Sequence, residues 1–213
     1  MSLHIIGGTY RRRRLVTPAG RETRPYTNRV RQIVFDRLGE TIEGQRIADV
    51  FAGVGTMGIE ALSRGAASCV FIENDKRIHA HLSENIKTIV TDQTTVCWRT
   101  DVLRTSFRPK NADGCLPYDF VFFDPPYAMA DGLVAGESLQ KAVDRLGREG
   151  TTASDALMLL RTPRKRQLND FVNWRIDDCW NISSMLIWKL RGNRPDSAET
   201  TVDDATAVDT SQS

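Results

Sequence analysis

Residues 49–58 read Asp49-Val50-Phe51-Ala52-Gly53-Val54-Gly55-Thr56-Met57-Gly58, and the glycines at 53, 55 and 58 satisfy the pattern GxGxxG. Residues 47–51, apolar except for Asp49, predict a strand before these glycines, and residues 56–64 predict a helix after them. Glycines at such a junction let the backbone turn sharply and approach a ligand closely. A tight turn without a ligand is the alternative. The segment therefore predicts an α/β fold organised around a strand, a glycine loop and a helix.

Strand and helix patterns alternate after this loop, as is typical of a parallel sheet with crossover connections. We expect strands at 47–51, 68–73, 94–101, 118–124, 156–161, 175–183 and 185–190, and helices at 56–64, from Asp75 onward and around 139–146. The last two strands form an antiparallel pair. Before the loop, residues 3–16 predict a hairpin, and Thr27 caps a helix that ends at Gly39. We therefore predict a Rossmann-like, mostly parallel seven-stranded sheet with an antiparallel closing strand, plus an N-terminal β-hairpin and helix.

Glu73 stands 20 positions after Gly53, at the end of the second expected strand. An acidic residue at this distance accepts hydrogen bonds from ribose hydroxyls in nucleotide-binding folds. The three glycines and Glu73 together favour a ligand that contains adenosine. They leave both a dinucleotide and S-adenosylmethionine open.

A second motif, Asp124-Pro125-Pro126-Tyr127, ends the fourth expected strand, at the sheet edge where open α/β sheets bind ligands. The two prolines stiffen the turn and lack N–H groups, so the Asp124 carboxylate and the Pro125 carbonyl present acceptors side by side. Tyr127 adds a flat surface on which a base can stack. This set suits the exocyclic amine of a planar base, with a rigid strand-end turn as the alternative.

Positive charge is concentrated at the front of the chain. Residues 1–46 contain ten arginines, no lysine and four acidic residues, whereas residues 47–191 carry equal numbers of each sign. The planar fork of arginine matches phosphate oxygens, so a basic arm favours a nucleic acid, with a solvated charged surface as the alternative. We therefore divide the chain into a basic hairpin and helix at 1–45, a body at 46–191 and an acidic tail at 192–213 that we expect to be disordered.

Composition excludes several classes of protein. The longest apolar runs, 120–123 and 156–160, are far shorter than the roughly 18–20 residues that span a membrane. No apolar stretch precedes the first arginines, so we expect no secretory signal and a cytoplasmic protein. The four cysteines, at positions 69, 97, 115 and 179, form no CxxC pair, and the three histidines form no ligand pattern. We therefore expect no metal site.

Several segments together resemble the RsmD family of bacterial small-subunit (16S) ribosomal RNA guanine-N2 methyltransferases, which are class I enzymes that use S-adenosylmethionine. The resemblance spans about residues 3–191. The segments that carry it are Ile5-Ile6-Gly7-Gly8, the four arginines at 11–14, Thr17-Pro18, residues 24–31, 49–53 and 58–66, and the DPPY motif at 124–127. Many amine methyltransferases share the glycine loop and DPPY, whereas the segments at 24–31 and 58–66 are more specific to this family.

The resemblance implies a role for each candidate residue. S-adenosylmethionine would lie across the strand ends, bound by Asp49, Phe51, Ala52, Gly53, Gly55, Glu73, Asp101 and Val102. Asp101 is equally well placed to cap a helix at 102–107. The catalytic motif would be Asp124, Pro125, Pro126 and Tyr127, which orient N2 of the target guanine. Ribosomal RNA would contact Arg11, Arg12, Arg13, Arg14, Arg24, Arg29 and Arg31, and the enzyme would act as a monomer on the small subunit or its RNA.

Two departures from the family pattern flank Thr27, the cap of the N-terminal helix: Tyr26 stands where the family usually has threonine, and Asn28 where it has aspartate. Three alternatives to the resemblance remain. A DNA adenine-N6 methyltransferase would share both motifs, because adenine N6 is also an exocyclic amine, but the chain has no evident target-recognition insertion. A nicotinamide-dependent oxidoreductase would leave DPPY without a role. A non-catalytic RNA-binding protein would explain only the arginines.

Overall fold

A computed structural model describes residues 3–18, 26–168 and 171–194. The expectations for Arg24 and for the tail from residue 195 therefore lie outside the described residues. The elements are α1 (Asn28–Leu38), a 3-10 turn (Gly39–Ile42), β1 (Arg46–Val50), α2 (Thr56–Ser63), β2 (Ser68–Ile72), α3 (Lys76–Ile89), β3 (Thr94–Trp98), β4 (Tyr118–Phe123), α4 (Tyr127–Ala130), α5 (Ser138–Leu146), β5 (Thr152–Pro163), β6 (Trp174–Ile182) and β7 (Met185–Gly192).

The described strands form one seven-stranded sheet in the order β3-β2-β1-β4-β5-β7-β6. Strands β1 to β5 pair in parallel, whereas β7 is antiparallel to both β5 and β6. The predicted fold is therefore confirmed. The helix considered at 102–107 is wrong, because the chain forms only turns at 102–104.

The register of the parallel strands brings the expected site residues to one edge of the sheet. Val50 pairs with Ile72 on one side and with Phe123 on the other, and Phe123 pairs with Leu160. The next residues along these strands are therefore neighbours at this edge. Phe51, Glu73 and Asp124 directly follow β1, β2 and β4, and Arg161 lies beside them within β5, two residues before that strand ends.

Apolar side chains fill both faces of the sheet. In β4, Phe120 and Phe122 pack with α1, α2 and α3, whereas Val121 and Phe123 pack with α5. Successive side chains of a strand point to opposite faces, so a central strand that is covered on both sides is apolar throughout. This burial fixes the position of Asp124, which directly follows β4.

The N-terminal segment, residues 3–18, packs against the rest of the protein. It has a single antiparallel bridge, between His4 and Arg14, rather than two regular strands. Ile5, Tyr10 and Leu15 are buried in the same apolar cluster as the sheet. The segment therefore presents the intervening arginines on a fixed base.

Glu60 of α2 anchors this segment. Its carboxylate is fully buried and accepts hydrogen bonds from the backbone N–H of Ile6 (2.8 Å) and of Gly7 (2.9 Å). The Arg64 guanidinium donates to the same carboxylate at 2.9 Å, and Arg31 lies 3.8 Å from it. A buried carboxylate needs such partners to offset its lost hydration.

Candidate active site

The carboxyl edge of the sheet borders a cavity of about 420 Å³, a size within the range of small-molecule sites. Among the predicted site residues, those that line it are Phe51, Ala52, Gly53, Glu73, Asp124, Pro126 and Tyr127. It is also lined by residues that were not among the predicted site residues, namely Tyr26, Val54, Thr56, Ile78 and Arg161. The two motifs therefore meet at one cavity.

The glycine loop bends through three residues with positive φ: Phe51 (62°), Gly53 (58°) and Gly55 (88°). A non-glycine residue such as Phe51 rarely adopts this conformation, and such strain clusters at functional sites. A Cβ added at Gly53 would meet nothing within 4 Å, whereas one at Gly58 would stand 2.3 Å from Phe71. Gly53 thus leaves room for a ligand, and Gly58 lets α2 pack closely on the sheet.

Asp49 lies under the loop rather than in the cavity lining. Its side chain is buried and its Oδ2 accepts a hydrogen bond from the Gly58 N–H at 2.9 Å. Burial raises the pKa of Asp49 to about 8, against the opposing effect of that hydrogen bond. The geometry gives Asp49 a role in holding α2, and its contact with a cofactor stays a prediction.

We expect Asp49→Asn to change how stability depends on pH. An acid whose pKa is raised in the folded protein binds its proton more tightly there than in the unfolded chain, so it loses stabilisation as pH rises from about 4 to 8. The asparagine variant keeps an acceptor for Gly58 and does not titrate. Its free energy of unfolding, relative to wild type, should rise by up to about 1.4 kcal/mol per pH unit in that window.

Urea denaturation at several pH values measures this difference. Asp36→Asn is the matched control, because Asp36 is exposed on α1. Parallel pH profiles of wild type and Asp49→Asn would contradict the raised pKa.

The Glu73 carboxylate is held in place by backbone N–H groups, one of which belongs to the glycine loop. Its Oε2 accepts from the Gly53 N–H at 3.0 Å and its Oε1 from the Asp75 N–H at 2.8 Å. Asp75 in turn caps α3, as predicted from its position. Burial raises the pKa of Glu73 above its ordinary value. The side chain is thus fixed at the cavity with carboxylate oxygens of the kind that accept ribose hydroxyls.

Asp124 forms an ion pair with Arg161, which projects from β5. The Arg161 Nε donates to Asp124 Oδ1, and the two side chains are 8% and 18% exposed, respectively. Burial raises the pKa of Asp124 to about 6, although Arg161 opposes that rise. The Arg161 guanidinium also stands 4.6 Å from the Tyr127 ring centre and 5.3 Å from that of Tyr26.

Five predicted residues do not line the cavity: Asp49, Gly55, Pro125, Asp101 and Val102. The Asp101 Oδ1 accepts from the Leu103 N–H at 2.9 Å, so the carboxylate caps a turn. Val102 is buried in the apolar cluster on the α5 face. Cofactor contacts of Asp101 and Val102 stay predictions.

The predicted RNA-binding arginines divide into two groups. The side chains of Arg11, Arg12, Arg13, Arg14 and Arg29 are exposed. Arg31 is fully buried, and its NH2 donates to the His4 carbonyl and to Asn28 Oδ1, each at 2.6 Å. The structure contradicts the expectation that Arg31 contacts RNA phosphate, because the N-terminal segment covers that face of α1.

The lining of the cavity fits S-adenosylmethionine. Gly53 leaves open space beside the loop, and Glu73 places carboxylate oxygens at the lining. Apolar contact is available from Phe51 and Ile78. Ligand sites typically combine such apolar walls with a few placed polar groups.

Two further features of the described ranges bear on function. Within residues 3–18, 26–168 and 171–194, no helix is both long enough and apolar enough to cross a membrane. The same residues contain no group of three or more His, Cys, Asp or Glu side chains arranged to hold a metal ion.

Similarity to solved structures extends over most of the chain. The structure of the yhhF protein from Escherichia coli matches with a TM-score of 0.73 at 28% identity, covering 91% of this chain and 99% of that one. An RNA methyltransferase from Salinibacter ruber, solved in complex with S-adenosyl-L-homocysteine, matches with a TM-score of 0.57 at 14% identity, covering 84% and 99%. The second likeness concerns the fold alone.

Sequence similarity identifies the family. The profile of the family described as "Conserved hypothetical protein 95" matches residues 3–182. Ribosomal RNA small subunit methyltransferase D of Escherichia coli (strain K12) is 31% identical over 175 residues, which are 82% of this chain and 82% of that protein. The resemblance seen in the sequence is thereby confirmed, and the chain belongs to the RsmD family, the family of ribosomal RNA small subunit methyltransferase D.

Proposed function

We propose that the chain transfers a methyl group from S-adenosylmethionine to the exocyclic N2 amine of a guanine in small-subunit ribosomal RNA. The proposal includes an assembled or partly assembled subunit as substrate, and a monomeric enzyme in the cytoplasm. The observation that carries it is the position of Asp124 and Tyr127 on the same cavity as the glycine loop. The similarity to a ribosomal RNA methyltransferase supports the choice of RNA.

The glycine loop and Glu73 hold the methyl donor in this proposal. Gly53 gives the backbone close access, and Glu73 accepts hydrogen bonds from the ribose. The bound cofactor supplies a methyl group that is activated by its sulfonium. The main task of the protein is then to align the target amine with that group.

The DPPY motif orients the amine. The lone pair of guanine N2 is delocalised into the ring, and a hydrogen bond from the amine to Asp124 localises it toward the methyl group. The Pro125 carbonyl is the second acceptor predicted from the sequence, although Pro125 is not among the residues that line the cavity. The Asp124 carboxylate also stabilises the positive charge that develops on N2 as the bond between the methyl carbon and sulfur breaks. N2 then releases one proton, and S-adenosyl-L-homocysteine is the second product. Tyr127 supports the plane of the base.

In this proposal the exposed arginines bind the phosphates of the RNA backbone. Arg11, Arg12, Arg13 and Arg14 stand together on the docked N-terminal segment, and Arg29 is exposed at the start of α1. Contacts with phosphate position an RNA without reading its sequence. Because the basic front segment is too small to form a separate sequence-reading domain, the folded shape of the ribosomal substrate supplies the specificity.

We expect the double variant Arg11→Gln/Arg13→Gln to bind small-subunit RNA more weakly and with less salt dependence. Each lost phosphate contact lowers the slope of log affinity against log salt by about 0.7–0.9. Fluorescence anisotropy over a series of KCl concentrations measures both quantities. Arg148→Gln, at an exposed arginine after α5, is the control. An unchanged slope in the double variant would remove the arginine loop, residues 11–14, from the RNA interface.

The function is tested by transfer of labelled methyl from S-adenosylmethionine to unmodified small subunits, naked small-subunit RNA and duplex DNA. We expect label in ribosomal RNA and more label in the subunit than in the naked RNA. Greater transfer to naked RNA would reject the assembled substrate. Transfer to DNA alone would instead favour the adenine-N6 alternative.

A further inference from the structure

Arg161 and Asp124 form their ion pair inside the candidate active site. The guanidinium of Arg161 donates through Nε to Asp124 Oδ1, and both residues line the cavity. With side chains only 8% and 18% exposed, the two charges are largely shielded from water. Charges interact more strongly in such surroundings than on an open surface. The protonation state of Asp124 therefore depends strongly on Arg161.

Two aromatic rings fix the guanidinium. It lies 4.6 Å from the Tyr127 ring centre and 5.3 Å from that of Tyr26, and both distances are within the range of cation–π contacts. Tyr127 belongs to the DPPY motif, whereas Tyr26 precedes α1. Because these rings come from separate parts of the chain, two independent contacts hold the Arg161 guanidinium in place, and in this sense the two rings brace it.

The ion pair occupies only part of the carboxylate. Within the described part of the chain, the hydrogen bond from Arg161 is received by Oδ1, and no described donor binds Oδ2. Oδ2 is not among the buried, unpartnered atoms, and Asp124 borders the cavity. An N–H group of a ligand in the cavity can therefore use this second oxygen.

We propose that Arg161 is a positioning residue for methyl transfer: braced by Tyr26 and Tyr127, it keeps Asp124 ionised and leaves Oδ2 to accept a hydrogen bond from the target amine. This inference rests on the proposed function, which assigns the amine to Asp124. Arg161 acts through the carboxylate rather than on the reacting atoms. A planar cation suits this place, because it can donate to Oδ1 and stack on aromatic rings at once.

The groups around Asp124 set the direction of its response to the loss of Arg161. Among the described residues, the titratable groups near the pair include Asp49 of β1 and the phenols of Tyr26 and Tyr127. Asp49 has its own pKa raised to about 8, so it is protonated and neutral where Asp124 titrates. Burial disfavours ionisation of Asp124, and Arg161 opposes that effect. Without this cation, Asp124 is expected to take up a proton, and its acceptor capacity falls.

The test compares Arg161→Gln, Arg161→Lys and wild type in kcat/KM for RNA methylation as a function of pH. In the plot of kcat/KM against pH, we expect the acidic limb of Arg161→Gln to lie at least about one pH unit higher than that of wild type. One pH unit corresponds to a tenfold change in the proton affinity of the carboxyl. Activity should recover at alkaline pH. Arg161→Lys keeps a cation and should hold the limb near that of wild type.

Carbon NMR of labelled aspartate carboxyls measures the Asp124 titration directly, with its signal assigned by its loss in Asp124→Asn. We expect the same upward shift in Arg161→Gln, and no shift in Arg164→Gln, which removes an exposed arginine three positions later. Arg161→Met is a second neutral variant should the glutamine protein not fold. An unmoved titration midpoint, with or without a loss of rate, would overturn the proposal.

The two measurements also separate the inference from the proposed function. If wild type methylates no ribosomal RNA while the Asp124 titration still shifts as described, the proposed substrate is wrong and the positioning of Asp124 by Arg161 stands. If wild type is active and the titration does not move, the role of Arg161 is rejected and the proposed function stands.

Discussion

Asp124→Asn is expected to abolish methyl transfer while leaving cofactor binding much less affected. The substitution replaces a carboxylate by an amide, which presents N–H donors where the target amine needs an acceptor and carries no charge to stabilise N2. Loss of one such electrostatic contact typically lowers kcat about 100- to 1000-fold. The cofactor contacts expected at Gly53 and Glu73 are untouched. Single-turnover kinetics and calorimetric titration with S-adenosylmethionine measure the two effects separately.

Asp131→Asn is the matched control, because its carboxylate is 91% exposed and lies only seven positions later. Since Asp124 is paired with a buried arginine, a folding check by circular dichroism belongs to the same experiment. A folded Asp124→Asn protein with wild-type turnover would reject the role of this carboxylate. Equal losses of turnover and cofactor affinity would place Asp124 with the cofactor rather than with the target base.

Glu60→Ala is expected to destabilise the fold by about 3–5 kcal/mol, the usual cost of removing one partner of a buried ion pair. Glu60 and Arg31 are both fully buried. Without the carboxylate, the Arg31 cation keeps only neutral acceptors, and the Ile6 and Gly7 N–H groups lose theirs. Urea denaturation measures the free energy of unfolding.

Glu40→Ala serves as control, because Glu40 is exposed in the 3-10 turn, and surface changes usually stay within about 0.5 kcal/mol. Glu60→Gln keeps acceptors for the backbone N–H groups and should fall between Glu60→Ala and wild type. Stabilities of Glu60→Ala and Glu40→Ala that agree within error would contradict the anchoring role. Loss of the anchor also predicts weaker RNA binding, because the arginine loop loses its fixed base.

Local sequence patterns were enough to predict the sheet and most of the residues that line the cavity. The glycine loop required a strand before it and a helix after it, and β4 could be recognised because burial on both faces makes a strand apolar throughout. Glu73 and Asp124 each follow such a strand. Carboxyl ends of parallel strands share one edge, so their meeting at the cavity was predictable.

Arg31 was misplaced because its partner comes from a distant part of the chain. By spacing it lies off the apolar stripe of α1, and a charged residue in that position is ordinarily exposed. The N-terminal segment covers it, and Glu60, 29 positions later, supplies the opposite charge. Neither contact leaves a periodic signal in the sequence.

Arg161 was missed for a related reason. The sequence shows it only as a charged residue near the end of a strand pattern, with no motif around it. Its role depends on the pairing of β4 with β5, in which Phe123 opposes Leu160, so that the next residues of both strands are neighbours. Strand order and register would have been needed to find it.

Nucleoside analysis of the methylated RNA tests the central claim most directly. Unmodified small ribosomal subunits are incubated with the enzyme and methyl-labelled S-adenosylmethionine, and the RNA is then digested and its nucleosides separated. The label should appear in N2-methylguanosine with the wild-type enzyme and be absent with Asp124→Asn. Label in N6-methyladenosine, or in a nucleoside methylated on a ring atom, would contradict the assignment of the DPPY site to the guanine N2 amine.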